Sequence, residues 1–409
     1  MLTRRRFLGA ALAAGAALVA ACLPSSNQRS PTPSVAPATD GVPASPAASP
    51  SESPTASPAP SASPSADLRR TIAGLLVVGF RGMTVAEAGP VADAIARDGL
   101  GGVILFDRDQ TTGSPRNVRS PQQLRALTAG LQGLAGQRRL IVAIDQEGGR
   151  VARLTSATGF PKIASEASIG RLDDEGATTT WGRLIATTLA SVGVNLNLAP
   201  VVDLDVNTRN PAIGALDRSF SADPAIVTKL ALAEIRAHYE SSIATALKHF
   251  PGLGSATANT DFGVADVTKT WSRTELEPFR AIVASGVADA VMAGHLVNRN
   301  LDPDHPASLS RAVVTDLLRG ELAWDGVVIT DDLQAGAITS AFGADEAIAL
   351  AIEAGNDMLL LANQQSYDPN VAARTIDTIQ AHVRSGRINV GWLEESRGRV
   401  DAMLARLAG

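Results

Sequence analysis

Acidic and basic side chains follow five short apolar runs in this sequence, at the point where each run ends. The polar segments are residues 145–150, 203–205, 248–252, 294–295 and 330–332. Helix caps or loop ion pairs would explain any one of them, but they explain all five poorly. Cleavage of a glycosidic bond needs one carboxylate to stabilise an oxocarbenium-like centre and another group to protonate the leaving oxygen. Carboxylates interleaved with arginine, lysine and histidine therefore indicate chemistry on a sugar.

The residue pattern argues against metal and phosphate chemistry. Only two of the five histidines, His249 and His295, lie at the ends of apolar runs, and no two histidines have the spacing of metal ligands. The glycines of Gly252-Leu253-Gly254 are not followed by Lys and Ser or Thr, as they would be in a phosphate-binding loop. We therefore predict that the protein uses no metal and no cofactor.

Eight apolar runs must position these side chains. They are residues 75–80, 102–106, 140–145, 194–202, 244–250, 290–296, 326–330 and 358–361. Their continuous hydrophobicity predicts strands buried on both faces, as in a parallel sheet. Apolar residues three and four apart predict helices between them, for example at 225–238 and 275–284. Eight β–α repeats predict an α/β fold, a (β/α)8 TIM barrel in one catalytic domain, with a doubly wound open sheet as the alternative.

The first 22 residues have the composition of an export signal. Arg4, Arg5 and Arg6 precede an apolar stretch at 7–21 that is too short and too rich in alanine and glycine to predict a membrane span. Residues 3–8 resemble a twin-arginine signal, and residues 18–22 resemble a bacterial lipobox whose cysteine, Cys22, is lipidated. We therefore expect an exported lipoprotein on the outer face of the cytoplasmic membrane, attached only through its lipid. An ordinary secretory signal is the alternative.

Residues 23–66 predict a disordered tether between this signal and the barrel at 67–409. They contain 11 of the chain's 23 prolines and no aromatic residue, so they cannot bury enough apolar area to offset the entropy of ordering. The whole chain carries 36 Lys and Arg against 41 Asp and Glu, a formal net charge of −5. Because no basic run occurs beyond the extreme N-terminus, we exclude nucleic acid as a partner.

Four motifs connect the sequence to a known family. Residues 144–151 are Ile-Asp-Gln-Glu-Gly-Gly-Arg-Val, 248–252 are Lys-His-Phe-Pro-Gly, 217–220 are Asp-Arg-Ser-Phe and 330–333 are Thr-Asp-Asp-Leu. With nearly all of residues 67–409, they resemble the single-domain β-N-acetylglucosaminidases of glycoside hydrolase family 3. The resemblance implies a barrel that removes non-reducing β-linked N-acetylglucosamine, with retention, from peptidoglycan fragments or related glycans.

The resemblance also implies roles for individual residues. Asp331 would be the nucleophile, and five residues would hold the terminal sugar: Asp145, Arg153, Arg218, Lys248 and His249. The residue pattern agrees on Asp331, because a carboxylate at a strand end has a fixed backbone from which it can reach an anomeric carbon, whereas Asp332 should point elsewhere.

The sequence departs from the family pattern where the acid/base should lie. The family carries Asp-Ser-His on a loop after the Lys-His-Phe-Pro-Gly strand, and residues 259–261 here are Asn-Thr-Asp. With an ordinary pKa near 3.9, Asp261 would be mostly ionised at neutral pH. A nearby Asp331 would raise that pKa, and donation from the Asn259 amide would lower it.

Three hypotheses follow from this loop. In the first, the protein is a β-N-acetylhexosaminidase with Asp261 as acid/base and Asn259 beside it. In the second, it is a tethered glycan-binding lipoprotein whose catalysis is impaired because the family histidine is replaced. In the third, it is a glycosidase for an unacetylated β-sugar. All three have a β-linked glycan as the partner.

Overall fold

The computed structural model describes residues 64–407. The predicted signal, the lipidation site at Cys22 and nearly all of the predicted tether lie outside these residues. The first described helix begins at Pro64, three residues before the predicted start of the barrel at residue 67. Proline is favourable in a first helical turn because the N–H that it lacks would have no partner there.

Eight parallel strands form the centre of the molecule. They are β1 (Leu76–Gly79), β2 (Gly102–Leu105), β3 (Ile141–Ile144), β4 (Leu196–Asn197), β5 (Ala244–Phe250), β6 (Ala290–Ala293), β7 (Val327–Thr330) and β8 (Leu359–Leu361). Their order in the sheet is β8-β1-β2-β3-β4-β5-β6-β7. A parallel bridge between Ile329 and Met358, with a 3.0 Å hydrogen bond from Thr330 N to Met358 O, joins β7 to β8. The TIM-barrel prediction is confirmed, and the open-sheet alternative is wrong.

Helices surround the barrel in the order that the β–α repeats predict. They are α1 (Pro64–Ala73), α2 (Pro90–Asp93), α3 (Pro121–Ala135), α4 (Glu166–Gly170), α5 (Glu175–Ser191), α6 (Pro224–Tyr239), α7 (Glu277–Ala284), α8 (Gly336–Thr339), α9 (Ala344–Ala354), α10 (Val371–Arg384) and α11 (Val390–Arg406), with π-helical turns at Ala94–Asp98 and Ala312–Glu321. The side chains of Ser120 and Asp223 accept hydrogen bonds from first-turn amides of α3 and α6, which defines where these helices begin. None of the helices in residues 64–407 combines the length and apolar character that a membrane span requires.

The core lies on both sides of the sheet. Every strand residue of the barrel is buried, as the continuous apolar runs predict. On α3, Leu124, Leu127 and Leu131 are buried at the spacing of one helix face, so this face packs against the sheet. Burial of apolar area on both faces is the main stabilising contribution to such a barrel.

Strand β4 is shorter than the apolar run that predicts it. The run covers 194–202, but the regular strand is only Leu196–Asn197. Pro200 has no N–H to donate to the neighbouring strand, so the ladder is interrupted there. Contact with β5 continues through backbone hydrogen bonds: the carbonyls of Ala199 and Pro200 accept from the amides of Ala246 and Lys248, at 3.0 and 3.3 Å, and the Val202 amide donates to the carbonyl of Lys248 at 2.9 Å. The irregular segment after β4 brings Asp203 beside the end of β5.

Candidate active site

A cavity of about 230 Å³ lies at the carboxyl ends of the barrel strands. Its lining includes every catalytic and sugar-binding residue predicted from the sequence: Asp145, Arg153, Arg218, Lys248, His249, Asn259, Asp261 and Asp331. Lys248 and His249 lie at the end of β5, and the others lie in segments that follow β3, β4, β5 and β7. They meet because parallel strands direct their carboxyl ends to one rim of a barrel.

A tight antiparallel hairpin after β3 positions the first acidic group. The strands of the hairpin are Gln146–Gly148 and Val151–Ala152. Gly148 has φ of 96°, and a Cβ there would lie 2.1 Å from the carbonyl oxygen of Ala164, so only glycine fits. The hairpin returns Arg153 to Asp145, with 3.1 Å between Nη2 and Oδ2. On its other side Asp145 accepts from Lys248 Nζ at 2.8 Å.

Glu147, on the same hairpin, completes a buried network of charges. Arg218 donates to both of its carboxylate oxygens, at 2.7 and 2.9 Å, and Lys248 Nζ lies 2.6 Å from Oε1. Burial alone would raise the pKa values of Glu147 and Asp145, but the cations hold both well below their ordinary values. Both carboxylates are therefore ionised acceptors, and their orientation is fixed by three cationic side chains.

His249 is oriented by a buried carboxylate that follows β4. Asp203 Oδ2 lies 2.6 Å from His249 Nδ1, and Asp203 also accepts from the amides of His249, at 3.1 Å, and Leu253, at 2.7 Å. With Nδ1 on the carboxylate, Nε2 lies 3.4 Å from Arg218 Nη2. Asp203 therefore fixes the imidazole ring and also the first residues of the loop that follows β5.

Asp331 directly follows β7, and its position is set by β6. Its amide donates to Ala293 O at 3.0 Å, and its Oδ1 accepts from the Asp332 amide at 2.8 Å. Burial would raise the pKa of Asp331, but His295, His249 and the Asp332 amide hold it below its ordinary value. An ionised carboxylate at a fixed strand end has the properties of a nucleophile.

The carboxyl group of Asp332 accepts hydrogen bonds from two backbone amides. Its Oδ1 accepts from the amides of Ala362, at 2.9 Å, and Gln334, at 3.1 Å. Burial raises its pKa to about 7. Its carbonyl lies 2.8 Å from His295 Nε2. Asp332 therefore holds the loops after β7 and β8 together, and its carboxyl group is committed to them although it borders the cavity.

Asp261 lies in the loop between β5 and α7. Burial is the largest cause of its raised pKa, and the charge of Asp331 adds to it, while Arg218 and His249 act in the opposite direction. Asn259 Oδ1 accepts from the Asp261 amide at 2.9 Å. The amide group of Asn259 thus fixes the backbone of Asp261, a different contact from the donation to its carboxylate considered above.

Three charged residues and two glutamines of the site were not among the predicted site residues. Glu147, Asp203 and His295 each follow an apolar run, so their position was a usable signal. Gln364 and Gln365 line the cavity from the segment after β8, where no charged motif marks them.

Two of the carboxyl groups that line the cavity, those of Asp331 and Asp261, have surroundings that move their pKa values apart. Asp331 is held ionised, and Asp261 is shifted towards retaining its proton. Such a divergence separates a nucleophile from a general acid in enzymes that act on glycosides. The network of Asp145, Glu147 and their cations supplies charged hydrogen-bonding groups beside them.

Comparison with known proteins identifies the family of this chain. The family described as "Glycosyl hydrolase family 3 N terminal domain" matches residues 67–403. Curated relatives include Beta-hexosaminidase A from Pseudoalteromonas piscicida, 32% identical over 78% of this chain and 55% of its own length, and Beta-hexosaminidase from Tolumonas auensis, 35% identical over 65% and 77%.

Among solved structures, a glycoside hydrolase family 3 beta-N-acetylglucosaminidase from Paenibacillus has a TM-score of 0.76 and 33% identity. The match covers 83% of this chain and 62% of that one. The chain thus spans less than two thirds of that protein and of the Pseudoalteromonas relative. The match of nearly the whole barrel to one family places the chain in glycosyl hydrolase family 3.

Proposed function

We propose that the protein is a retaining β-N-acetylhexosaminidase that removes terminal β-linked N-acetylglucosamine from peptidoglycan fragments or related glycans. The observation that carries the proposal is the pair Asp331 and Asp261, which line one cavity and have oppositely shifted pKa values. The names of the relatives, beta-hexosaminidase and beta-N-acetylglucosaminidase, support the reaction and the sugar.

In the first step, Asp331 attacks the anomeric carbon as the bond to the leaving oxygen breaks. Asp261 donates its proton to that oxygen, so the glycan leaves as an alcohol and the sugar becomes an ester of Asp331. In the second step, Asp261, now a carboxylate, takes a proton from water, whose oxygen attacks the same carbon. The bond to Asp331 breaks, and both carboxyl groups regain their starting states.

Five polar residues bind the terminal sugar in this proposal. Asp145, held between Lys248 and Arg153, accepts from sugar hydroxyls, and the cations donate to hydroxyl or carbonyl oxygens. Arg218 and His249 lie beside each other in the same network, with 3.4 Å between Nη2 and Nε2. Because these groups hold one another in place, little side-chain entropy is lost when a sugar binds.

The replacement of the family histidine by Asp261 favours a second candidate, a tethered glycan-binding lipoprotein with impaired catalysis. A carboxyl group with an ordinary pKa would hold almost no proton at neutral pH. The raised pKa of Asp261 is the reason to place the enzyme first.

We propose export and lipid attachment as the setting of this reaction. The twin-arginine-like segment, the lipobox at Cys22 and the proline-rich segment 23–66 support an exported protein held to the outer face of the cytoplasmic membrane. An extended tether over residues 23–63, ending where the first helix begins at Pro64, would let the barrel reach glycans several nanometres from the bilayer at about 3 Å per residue.

A direct assay tests the proposed reaction. The full chain, with lipid or detergent present, is incubated between pH 4 and 8 with nitrophenyl β-N-acetylglucosaminide, nitrophenyl β-glucoside and an N-acetylglucosamine disaccharide. We expect hydrolysis of both acetylated substrates, with β-configured sugar as the first product. Cleavage of the nitrophenyl compound alone, with binding of the disaccharide, supports the glycan-binding protein. A preference for the β-glucoside supports the glycosidase for unacetylated sugars.

A further inference from the structure

The loop that carries Asp261 is bonded to two neighbouring loops at Asp261 itself. The carbonyl oxygen of Asp261 accepts from the Gly336 amide at 2.9 Å and also from the side-chain amide Nε2 of Gln365. One residue earlier, the carbonyl of Thr260 accepts from the Ala337 amide at 3.1 Å. The loop after β5 is therefore joined to the start of α8 and to the segment after β8.

Gly336 allows this close contact because it has no side chain. A Cβ at this position would lie 2.7 Å from the carbonyl carbon of Phe262 and 3.0 Å from the carbonyl oxygen of Asp261. Real Cβ atoms do not approach backbone atoms so closely, so a larger residue at 336 would displace the loop. The close approach of the two backbones fixes the position of Asp261 at the cavity.

Gln365 and its neighbour Gln364 have different hydrogen-bond partners. Gln364 is bonded to the loop after β2, because it accepts from buried Arg116 at 2.8 Å and donates to the Arg108 carbonyl at 3.0 Å. Gln365 is half-buried, lines the cavity and donates across 104 residues of sequence to the residue that carries the acid.

The segment between β5 and the next helical turn, residues 251–272, contains no helix or strand. Segments of this length depend on tertiary contacts for their position. Proton transfer needs the acid within about 2.6–3.2 Å of the accepting oxygen. The position of the Asp261 backbone therefore determines whether its carboxyl group reaches the leaving oxygen.

We propose that Gln365 is a positioning residue that, with the amide of Gly336, holds Asp261 where it can protonate the leaving group. The inference rests on the proposed function and specifies which contact makes the replaced acid usable. Gln365 acts through the backbone of Asp261, so its effect depends on how strongly the leaving group needs a proton. Substrates whose leaving group departs as a stable anion do not need the acid in the first step.

The test compares Gln365→Met, which keeps the length of the side chain and removes its amide, with wild type on two substrates. On an N-acetylglucosamine disaccharide, kcat should fall by about tenfold to a hundredfold, because small misplacements of a catalytic group have effects of that size. On dinitrophenyl β-N-acetylglucosaminide, the rate of the glycosylation step should change less than about twofold. Ser366→Ala, at an exposed neighbouring position, should leave both rates unchanged.

Gly336→Ala should displace the carbonyl of Asp261 by steric contact with the added Cβ. It should therefore also slow hydrolysis of the disaccharide more than glycosylation by the dinitrophenyl substrate. Amide hydrogen exchange provides a readout that does not need activity: amides of residues 259–263 should exchange faster in Gln365→Met than in wild type. Equal losses on both substrates, unchanged rates on both, or unchanged exchange would each overturn the role of Gln365. Failure of the wild type to cleave either substrate would instead contradict the proposed function, and the exchange measurement would still test the contact.

Discussion

Asp331 and Asp332 are adjacent in sequence, but their carboxyl groups have different partners. The carboxylate of Asp331 accepts from one amide, that of Asp332, and is held ionised. The Asp332 carboxyl group accepts from two amides of the loops after β7 and β8. Only Asp331 thus combines a low pKa with a carboxylate available to an anomeric carbon, which is why we assign it the nucleophilic role.

This difference predicts unequal effects of the same substitution. Asp331→Asn should lower kcat on the best substrate by a factor of about a thousand or more, equivalent to about 4 kcal/mol of barrier. Asp332→Asn should cost much less, because the amide oxygen of asparagine can still accept from Ala362 and Gln334. Steady-state kinetics and circular dichroism of both variants check the prediction, and equal losses at the two positions would contradict the assignment.

Asp261 differs from both because its importance should depend on the leaving group. Asp261→Ala should slow hydrolysis of a disaccharide by about a hundredfold or more and spare the glycosylation step on a dinitrophenyl glycoside. Added azide should restore deglycosylation of the variant, since an anionic nucleophile needs no general base. If both substrate classes stay equally active, the acid is another residue.

The pH dependence should have two limbs with assigned signs. Catalysis requires ionised Asp331, whose pKa is lowered, and protonated Asp261, whose pKa is raised. The disaccharide rate should therefore fall when the pH drops through the pKa of Asp331 and fall again when the pH rises through that of Asp261. In a profile of kcat/KM against pH, Asp261→Ala should lose the descending limb at higher pH. A wild-type profile without this limb would contradict the role of Asp261 as acid.

Among the secondary-structure elements, side chains at the strand ends form ion pairs that connect different β–α units. Lys248 at the end of β5 contacts Asp145 and Glu147, which follow β3, and Arg218 connects Glu147 to the segment after β4. A side chain that binds sugar is therefore held by residues from at least one other unit. The site is rigid because the barrel fixes the distances between its strands.

A buried carboxylate, that of Asp357, links the last helix to the barrel. Asp357, just before β8, accepts from the Val328 amide at 2.8 Å, from Arg319 at 2.7 Å, and from Ser396 and Arg399 of α11 at 2.9 and 3.1 Å. Arg399 also forms an ion pair with Asp325. The side chain of Asp357 is fully buried, whereas that of Asp325 is 98% exposed. The same arginine thus makes one buried and one exposed ion pair.

These two pairs should differ in their contribution to stability. Asp357→Ala leaves two arginines and a strand amide without their acceptor and should lower the free energy of unfolding by about 3–5 kcal/mol. Asp325→Ala should change it by less than about 1 kcal/mol, because exposed pairs contribute little. Urea unfolding followed by circular dichroism measures both. Similar values for the two variants would mean that α11 does not depend on Asp357.

At the scale of the whole molecule, attachment to a membrane is expected to depend on Cys22. In the native host, the full chain should fractionate with membranes, and Cys22→Ser should move it to the soluble fraction without altering kcat on the nitrophenyl substrate. Ser26→Ala, within the predicted tether, is the matched control and should stay with the membranes. A wild-type protein found wholly in the soluble fraction would contradict lipid attachment.

The eight strands and the residues of the rim could be predicted from the amino-acid sequence. Strands of a parallel barrel are buried on both faces, so each appears as a continuous apolar run, and the polar residues after the runs must meet at one end. For this reason Asp145, Lys248 and Asp331 could be placed in one site before any contact was known. The resemblance added Arg153 and Arg218, which lie farther from a strand end.

The closure of the sheet and the protonation of the carboxyl groups, in contrast, depend on contacts that exist only in the folded chain. Closure depends on the pairing of Ile329 with Met358, and a run of apolar residues does not identify its partner. The pKa of Asp261 depends on burial and on Asp331, while Asn259 turned out to bond the backbone. The support from Gln365 spans 104 residues of chain. Burial and long-range contacts are properties of the folded chain, so local sequence could name these groups but could not assign their protonation.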